Sequence, residues 1–195
     1  MEKQHKKKNY YKYDQEWKKF QITRAKLKVK LNNGLVVPLR KKNLWSEYGP
    51  VLKNDSGVFS FHLSALENIS AIEQWYQMNK ANNFEDFKRA LNIMGIPRFN
   101  IVYADKQDNI LYMSNGLIPL RDTNYNWKLT IPGNSSKTKS NGYYGYKDLP
   151  KLENPISGYI FNTNNSPFNC TEKSNNLKKE NFPKSFGYRE KFNNR

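Results

Sequence analysis

The spacing of apolar and polar positions changes period several times along this chain, and each change marks an expected element. In "AKLKVKL", Ala25 to Leu31, apolar and charged residues alternate as they do on a half-exposed strand. "NNG" then reads as a turn and "LVVPL" as a second strand, whose Pro38 suits a sheet edge, so the two form a hairpin. "GVFSFHL" alternates again, with Val58, Ser60 and His62 on one face and Phe59 and Phe61 on the other. Beyond it the period lengthens. Ser64 and Glu67 have capping-box spacing, and Ile69, Ile72, Tyr76 and Asn79 mark a helical stripe. Asn83 is placed to cap a second helix, "FEDFKRALNIM", with Phe84, Phe87, Leu91 and Met94 on one face and Gly95 and Pro97 ending it. A strand follows in which Phe99, Ile101 and Tyr103 point one way and Asn100, Val102 and Ala104 the other; "DKQDN" turns the chain and "ILYMS" returns as its partner.

After Arg121 the chain is rich in Pro, Gly, Asn and Ser, which predicts loops with brief strands near 128–131 and 159–162. The first twenty residues lack a clean period and read as mobile or weakly helical; from Thr171 onward the sequence reads as loosely ordered. Two hairpins and two amphipathic helices make an α+β class. The expected organisation is a basic N-terminal segment over 1–20, a folded domain over 21–168 and a basic tail over 169–195. With 13 Tyr, 11 Phe and 4 Trp along its whole length, the chain has ample aromatic surface to bury.

The formal charge of +16 raises the question of an anionic partner, RNA or a charged surface. Its distribution weakens that reading. Residues 1–42 hold 14 Lys and Arg against 3 acids and residues 169–195 hold 7 against 3, while residues 43–168 are nearly balanced at 12 against 11. Basic, aromatic stretches such as "KKKNYYKYDQEWKKF" support only salt-sensitive, sequence-independent binding, and Lys and Asn are abundant throughout, so a nucleic-acid or anionic-surface module is the second reading, beside a third in which the fold is kept as a remnant without turnover. One cysteine, Cys170, excludes an internal disulfide, and nothing in its spacing from His62 supports a Cys–His nucleophile pair. His5 and His62, far apart, argue against a zinc site, and no cofactor is called for. No apolar run approaches the roughly 20 residues of a membrane span, and the basic N-terminus lacks the apolar segment of an export signal.

Asn100 is the chemically informative residue, because a carboxamide among apolar strand neighbours costs free energy unless its donors and acceptor find partners. Its surroundings carry a resemblance. "YGPV" at Tyr48 to Val51, "QWYQMNKANNFEDFKRAL" at Gln74 to Leu91, "FNIVYADKQDNILY" at Phe99 to Tyr112, "GLIPLR" at Gly116 to Arg121, "IPG" at Ile131 to Gly133 and "DLPKLENPISGYIFNTNNSP" at Asp148 to Pro167 occur in order. From about Tyr48 to Phe168 the chain resembles an interior β-chain piece of the penicillin acylase family of N-terminal-nucleophile hydrolases, which includes penicillin and acyl-homoserine-lactone acylases.

The resemblance implies part of a four-layer αββα sandwich and hydrolysis of non-peptide amide bonds. In the family a serine at the start of the β chain attacks the amide carbonyl, and an asparagine from "N-x-x-Y-A-D" helps hold the oxyanion; Asn100 stands at that position. A neutral, preorganised donor of this kind is worth about 10²- to 10³-fold in rate. Arg121, closing "IPLR", matches an arginine near the catalytic site, where a fixed positive charge supports the asparagine and the nucleophile. The alternatives are structural: Asn100 capping a strand end or bridging loops, and Arg121 pairing with Asp105 or Asp122. The family's serine–asparagine–tryptophan opening is not found upstream of the matched region. The resemblance therefore implies partners, the α chain and the first part of the β chain, with an acyl amide as substrate. The family acts in the periplasm or outside the cell, whereas this sequence would leave an unaided chain in the cytoplasm. Asp108 stands where the family usually places glycine, which predicts a left-handed backbone there. A partial fold is also expected to expose apolar faces and to associate.

Overall fold

The structure, a computed structural model, describes residues 9–186. The first eight residues of the basic N-terminal segment, His5 among them, and residues 187–195 of the basic tail lie outside the described residues. The chain divides into two compact units, one comprising the residues up to Leu63 together with Leu129–Lys139, the other Ser64–Lys128 and the residues from Ser140 onward.

The first unit is all β. Strands β1 (Tyr10–Tyr13) and β2 (Glu16–Lys19) form a hairpin, turned at Asp14 with φ 51°. The weakly helical reading of this segment is therefore corrected: Tyr11 and Tyr13 alternate inward, a strand pattern that two short runs separated by a tight turn disguise. Strands β3 (Gln21–Lys30), β4 (Val36–Ser46), β5 (Gly49–Asn54) and β6 (Gly57–Ser60) form an antiparallel meander in that order. The expected "AKLKVKL"/"LVVPL" hairpin is there, with Leu27 opposite Leu39 and Val29 opposite Val37. Pro38 lies where β4 pairs with β3 alone, so its missing N–H faces an open edge. The core sits at the base of the meander: Tyr11, Tyr13, Phe20, Leu44 and Val58 are buried together, with Tyr11 stacked on Phe20 at 4.6 Å between centroids. Residues 129–139 join this unit through Asp14, whose N–H donates to Asn134 O and whose carboxylate accepts from Ser136 N. No strand forms over 128–131; the segment instead leads to a 3-10 turn at Ser136–Thr138, where the Tyr48 hydroxyl meets Thr138 Oγ1 at 2.7 Å.

The second unit packs two helices on a three-stranded sheet. Helix α1 (Ala71–Lys80) starts later than the capping-box spacing suggests. Ser64 begins a separate 3-10 turn and its hydroxyl donates to Leu117 O, so it is not the helix cap. The expected stripe is also turned outward: Ile69 and Ile72 are 94% and 82% exposed, and the buried face is Ala71, Gln74 and Met78. Helix α2 (Phe84–Leu91) follows the sequence reading, with Asn83 Oδ1 accepting from Asp86 N at 2.9 Å and Phe87, Ala90 and Leu91 buried. Gly95 lets the chain return beside α1, because a Cβ there would lie 2.4 Å from Ser70 C and 2.5 Å from its oxygen.

Strands β7 (Phe99–Ala104) and β8 (Ile110–Asn115) pair as expected, and β9 (Lys151–Glu153) adds on the far side of β8. The third strand thus comes from "KLE"; residues 159–162, read as a brief strand, are irregular. Asp105 organises the β7–β8 turn by accepting from Gln107 N and Asn109 N, and Asp108 adopts φ 62° as its position requires. Ile101, Leu111 and Met113 face a core shared with Phe87, Leu91, Ile96, Ile118, Leu149 and Phe186. Phe87 lies 4.4 Å from Tyr103, centroid to centroid, which seats α2 on the sheet. The residues after Thr171, read as loosely ordered, follow a defined path to 186 through three 3-10 turns, and Phe186 is buried.

Candidate functional site

Asn100 sits second in β7, directly opposite Ser114 of β8, on the sheet face turned away from the helices. Its partners come from the turn in "NTNNSP". The carboxamide Nδ2 donates to Asn162 Oδ1 at 3.2 Å and to the Asn165 carbonyl at 3.1 Å. The Tyr112 hydroxyl, on the same face, donates to that carbonyl at 3.2 Å. The turn is itself built from short polar side chains: Asn164 has φ 61°, Asn162 Oδ1 accepts from Asn164 N, and Asn165 Oδ1 accepts from Thr163 N. Both hydrogens of the Asn100 amide are thus directed at one turn, which answers why an amide is tolerated there. The side chain ties strand β7 to the 162–165 turn. Asn100 is half-buried, and Val102, next on the same face, is exposed, so this face is only partly covered. Beneath the turn Ser114 Oγ is buried with no hydrogen-bond partner among the described residues.

Arg121 lies in a different setting. It lines a cleft of about 700 Å³ together with Arg98, Trp127, Phe168, Phe182 and Phe186, and Asn100 is not part of that lining. Its guanidinium stacks over the Trp127 ring at 5.1 Å, and Trp127 is fixed by its indole N–H donating to Asp122 O at 2.7 Å. Arg98 Nη1 donates to Phe186 O at 2.9 Å. Burial, and then the neighbouring Arg98 charge, lower the Arg121 pKa from its ordinary value. A guanidinium stays charged even so, so the cleft keeps concentrated positive charge against aromatic walls.

Cys170 is fully buried, its Sγ within 3.4 Å of Pro167 O, and burial pushes its pKa up to about 11. It remains a protonated packing residue at neutral pH. Among the described residues no group of three or more His, Cys, Asp or Glu gathers as a metal site would need, and no helix is long and apolar enough to cross a membrane.

Sequence reasoning missed one polar pair. Gln74 and Asn115 are both fully buried, and Gln74 Nε2 donates to Asn115 Oδ1 at 2.8 Å. Gln74 Oε1 accepts from Gly95 N at 2.6 Å and Ile96 N at 3.0 Å, while Asn115 Nδ2 donates to Leu91 O at 2.9 Å. These bonds tie α1, the end of α2 and β8 together beneath the strand that carries Asn100. The only signal was a polar residue opening the "QWYQMNKANNF" motif.

The second unit is α+β, with Asn100 presented from a sheet strand, and comparison with known proteins shows its family. The sequence matches the penicillin amidase family over residues 1–194, a wider span than the motifs alone suggested. The chain belongs to that family. It is 31% identical over 101 residues to the acyl-homoserine lactone acylase PvdQ of Pseudomonas fluorescens and 34% identical over 106 residues to penicillin G acylase of Escherichia coli. These alignments cover 48% and 52% of this chain but only 13% and 12% of the two relatives, so the chain spans a small part of their length. The thermostable penicillin G acylase of Alcaligenes faecalis shares the fold, with a TM-score of 0.69 at 20% identity over 89% of this chain and 32% of that one. The α+β fold is therefore that of an incomplete N-terminal-nucleophile hydrolase sandwich.

Proposed function

We propose that these 195 residues are an interior part of an amidase that hydrolyses non-peptide acyl amides, a reading supported by relatives named as an acyl-homoserine lactone acylase and a penicillin G acylase. In this reading Asn100 supplies the side-chain donor of the oxyanion hole, and Arg121 is a positioning residue that holds positive charge nearby. The serine nucleophile and most of the acyl pocket are supplied by polypeptide outside this sequence, in one longer protein or in a separate chain. The observation that carries the reading is the family match over 1–194 together with an asparagine at the motif position, its carboxamide held by two acceptors.

The chemistry suits the group. A carboxamide N–H donates without titrating, and the Asn162–Asn165 turn fixes where the Asn100 carboxamide sits before charge develops on the substrate oxygen. Both hydrogens are engaged with the turn, so one must transfer from a loop acceptor to the oxyanion during turnover. The isolated chain, incubated with a chromogenic acyl anilide, is expected to show no hydrolysis. The decisive measurement uses a graft of residues 99–121 into the E. coli penicillin G acylase in place of the corresponding stretch. The graft should hydrolyse the anilide, and Asn100→Ala within it should lower kcat by about 10²- to 10³-fold with a smaller change in KM. Equal kcat for the two grafts would refute the oxyanion role.

A further inference from the structure

The Asn100 carboxamide has two acceptors in the 162–165 turn, and they are not equivalent. Asn165 is held from several sides. Its Oδ1 accepts from Thr163 N at 2.6 Å, its Nδ2 donates to Ser166 O at 3.2 Å and to Asn169 O, and Ser166 beside it is buried. The Asn165 carbonyl accepts from Asn100 Nδ2 at 3.1 Å and also from the Tyr112 hydroxyl at 3.2 Å. Tyr112 is fully buried in β8, opposite Val102 and therefore on the same sheet face as Asn100. Asn162 differs on each count. It is exposed, and the acceptor it offers, 3.2 Å from Asn100 Nδ2, is the side-chain Oδ1, which already accepts from Asn164 N at 3.0 Å.

Opening the two bonds has different consequences. A hydrogen withdrawn from Asn162 leaves an exposed oxygen that keeps the Asn164 N–H and is reached by water, so no acceptor is stranded. A hydrogen withdrawn from Asn165 removes the link to the partner that is fixed in place, and with it the contact that sets the position of the donor. We propose that the two partners have separate roles: the Asn165 carbonyl, steadied by Tyr112, is the anchor, and Asn162 is the acceptor whose hydrogen passes to the substrate oxyanion. Tyr112 is then a positioning residue that acts through Asn165 on Asn100. This division of labour rests on the oxyanion role of Asn100 and adds which of its bonds opens during turnover.

Kinetics on the penicillin G acylase chimera, with the graft widened to residues 99–167 so that the turn is included, separate the partners by sign. Tyr112→Phe keeps the ring and removes one hydrogen bond, and should lower kcat about 2- to 10-fold at unchanged KM. Asn162→Ala removes the competing acceptor and should leave kcat at or above that of the parent graft. In an Asn100→Ala background Tyr112→Phe should change kcat by less than about twofold, because a residue that acts through Asn100 has nothing left to position. A tyrosine with a purely structural role would lower stability alike in both backgrounds without this coupling in kcat. The full 195-residue chain gives a second readout that needs no turnover. In its NMR spectrum the Asn100 side-chain hydrogen facing Asn162 should shift more steeply with temperature than the one facing Asn165, and Tyr112→Phe should steepen the latter. Asn162→Ala lowering kcat as much as Tyr112→Phe, additive losses for Tyr112→Phe and Asn100→Ala, or equal temperature slopes for the two hydrogens would overturn the assignment while leaving Asn100 as the donor. Unchanged kcat on Asn100→Ala would instead refute the oxyanion role and the assignment with it, so the two failures are told apart.

Discussion

Replacing Gln74 by leucine keeps the side-chain size and removes three hydrogen bonds at once. The Gly95 and Ile96 N–H groups lose their acceptor at 2.6 and 3.0 Å, and Asn115 Oδ1 loses its donor at 2.8 Å, all in a part of the unit closed to water. A buried polar group left unpartnered costs about 1–3 kcal/mol, against which the added apolar burial of leucine returns about 1–2 kcal/mol. Three such groups cost about 3–9 kcal/mol, so the net expected loss is about 1–8 kcal/mol, centred near 4 kcal/mol, a large share of the roughly 5–15 kcal/mol that holds a domain folded. With a urea slope of about 1–3 kcal/mol per molar, the midpoint should fall by about 2 M or the unit should be unfolded without denaturant. Asn115→Leu should cost a similar amount, since it strands Leu91 O as well as the Gln74 amide. The double variant should cost about 1 kcal/mol or more less than the sum of the two, because each single change leaves the other partner unsatisfied. A Gln74→Leu midpoint within about 0.3 M of the parent, or strict additivity, would refute the claim that this amide pair locks the helices to β8.

Two further outcomes follow from local geometry. Asp108 holds φ 62°, so Asp108→Val should destabilise by about 1–2 kcal/mol while Asp108→Gly stays within about 1 kcal/mol of the parent, measured by urea titration. Glu47 has its pKa lowered first by the Lys18 hydrogen bond at 3.0 Å and also by Lys139 at 3.3 Å. A carboxylate whose folded pKa lies below its unfolded one contributes stability above the unfolded value, about 4.3, and loses it as pH falls through the folded value. Stability of the β1–β6 unit should therefore decline below about pH 4, and E47Q should reduce the difference between pH 6 and pH 3.

Where one element's pattern stood alone, the sequence was legible. Asn83, Phe87 and Leu91 announced α2, the alternation around "DKQDN" announced β7 and β8, and Asp108 announced a left-handed turn, because local backbone and period decide all of these. The first helix was misread for a physical reason. Its most apolar stripe, Ile69, Ile72 and Tyr76, faces outward while the polar Gln74 is buried, and hydrophobic period cannot show that a buried amide will find three partners distant in sequence. The strand "KLE" was missed and two others were expected in its place, because three residues carry too little pattern and only pairing with β8 defines them.

By itself the sequence determined the family, the α+β class and the position of Asn100 at the head of a strand, since these rest on residue identity, order and local periodicity. Only the tertiary structure decided what surrounds that asparagine: the Asn162–Asn165 turn brought over it from sixty residues away, and the separate cleft that holds Arg121. Such contacts join residues distant along the chain through packing and hydrogen bonds that no local pattern encodes.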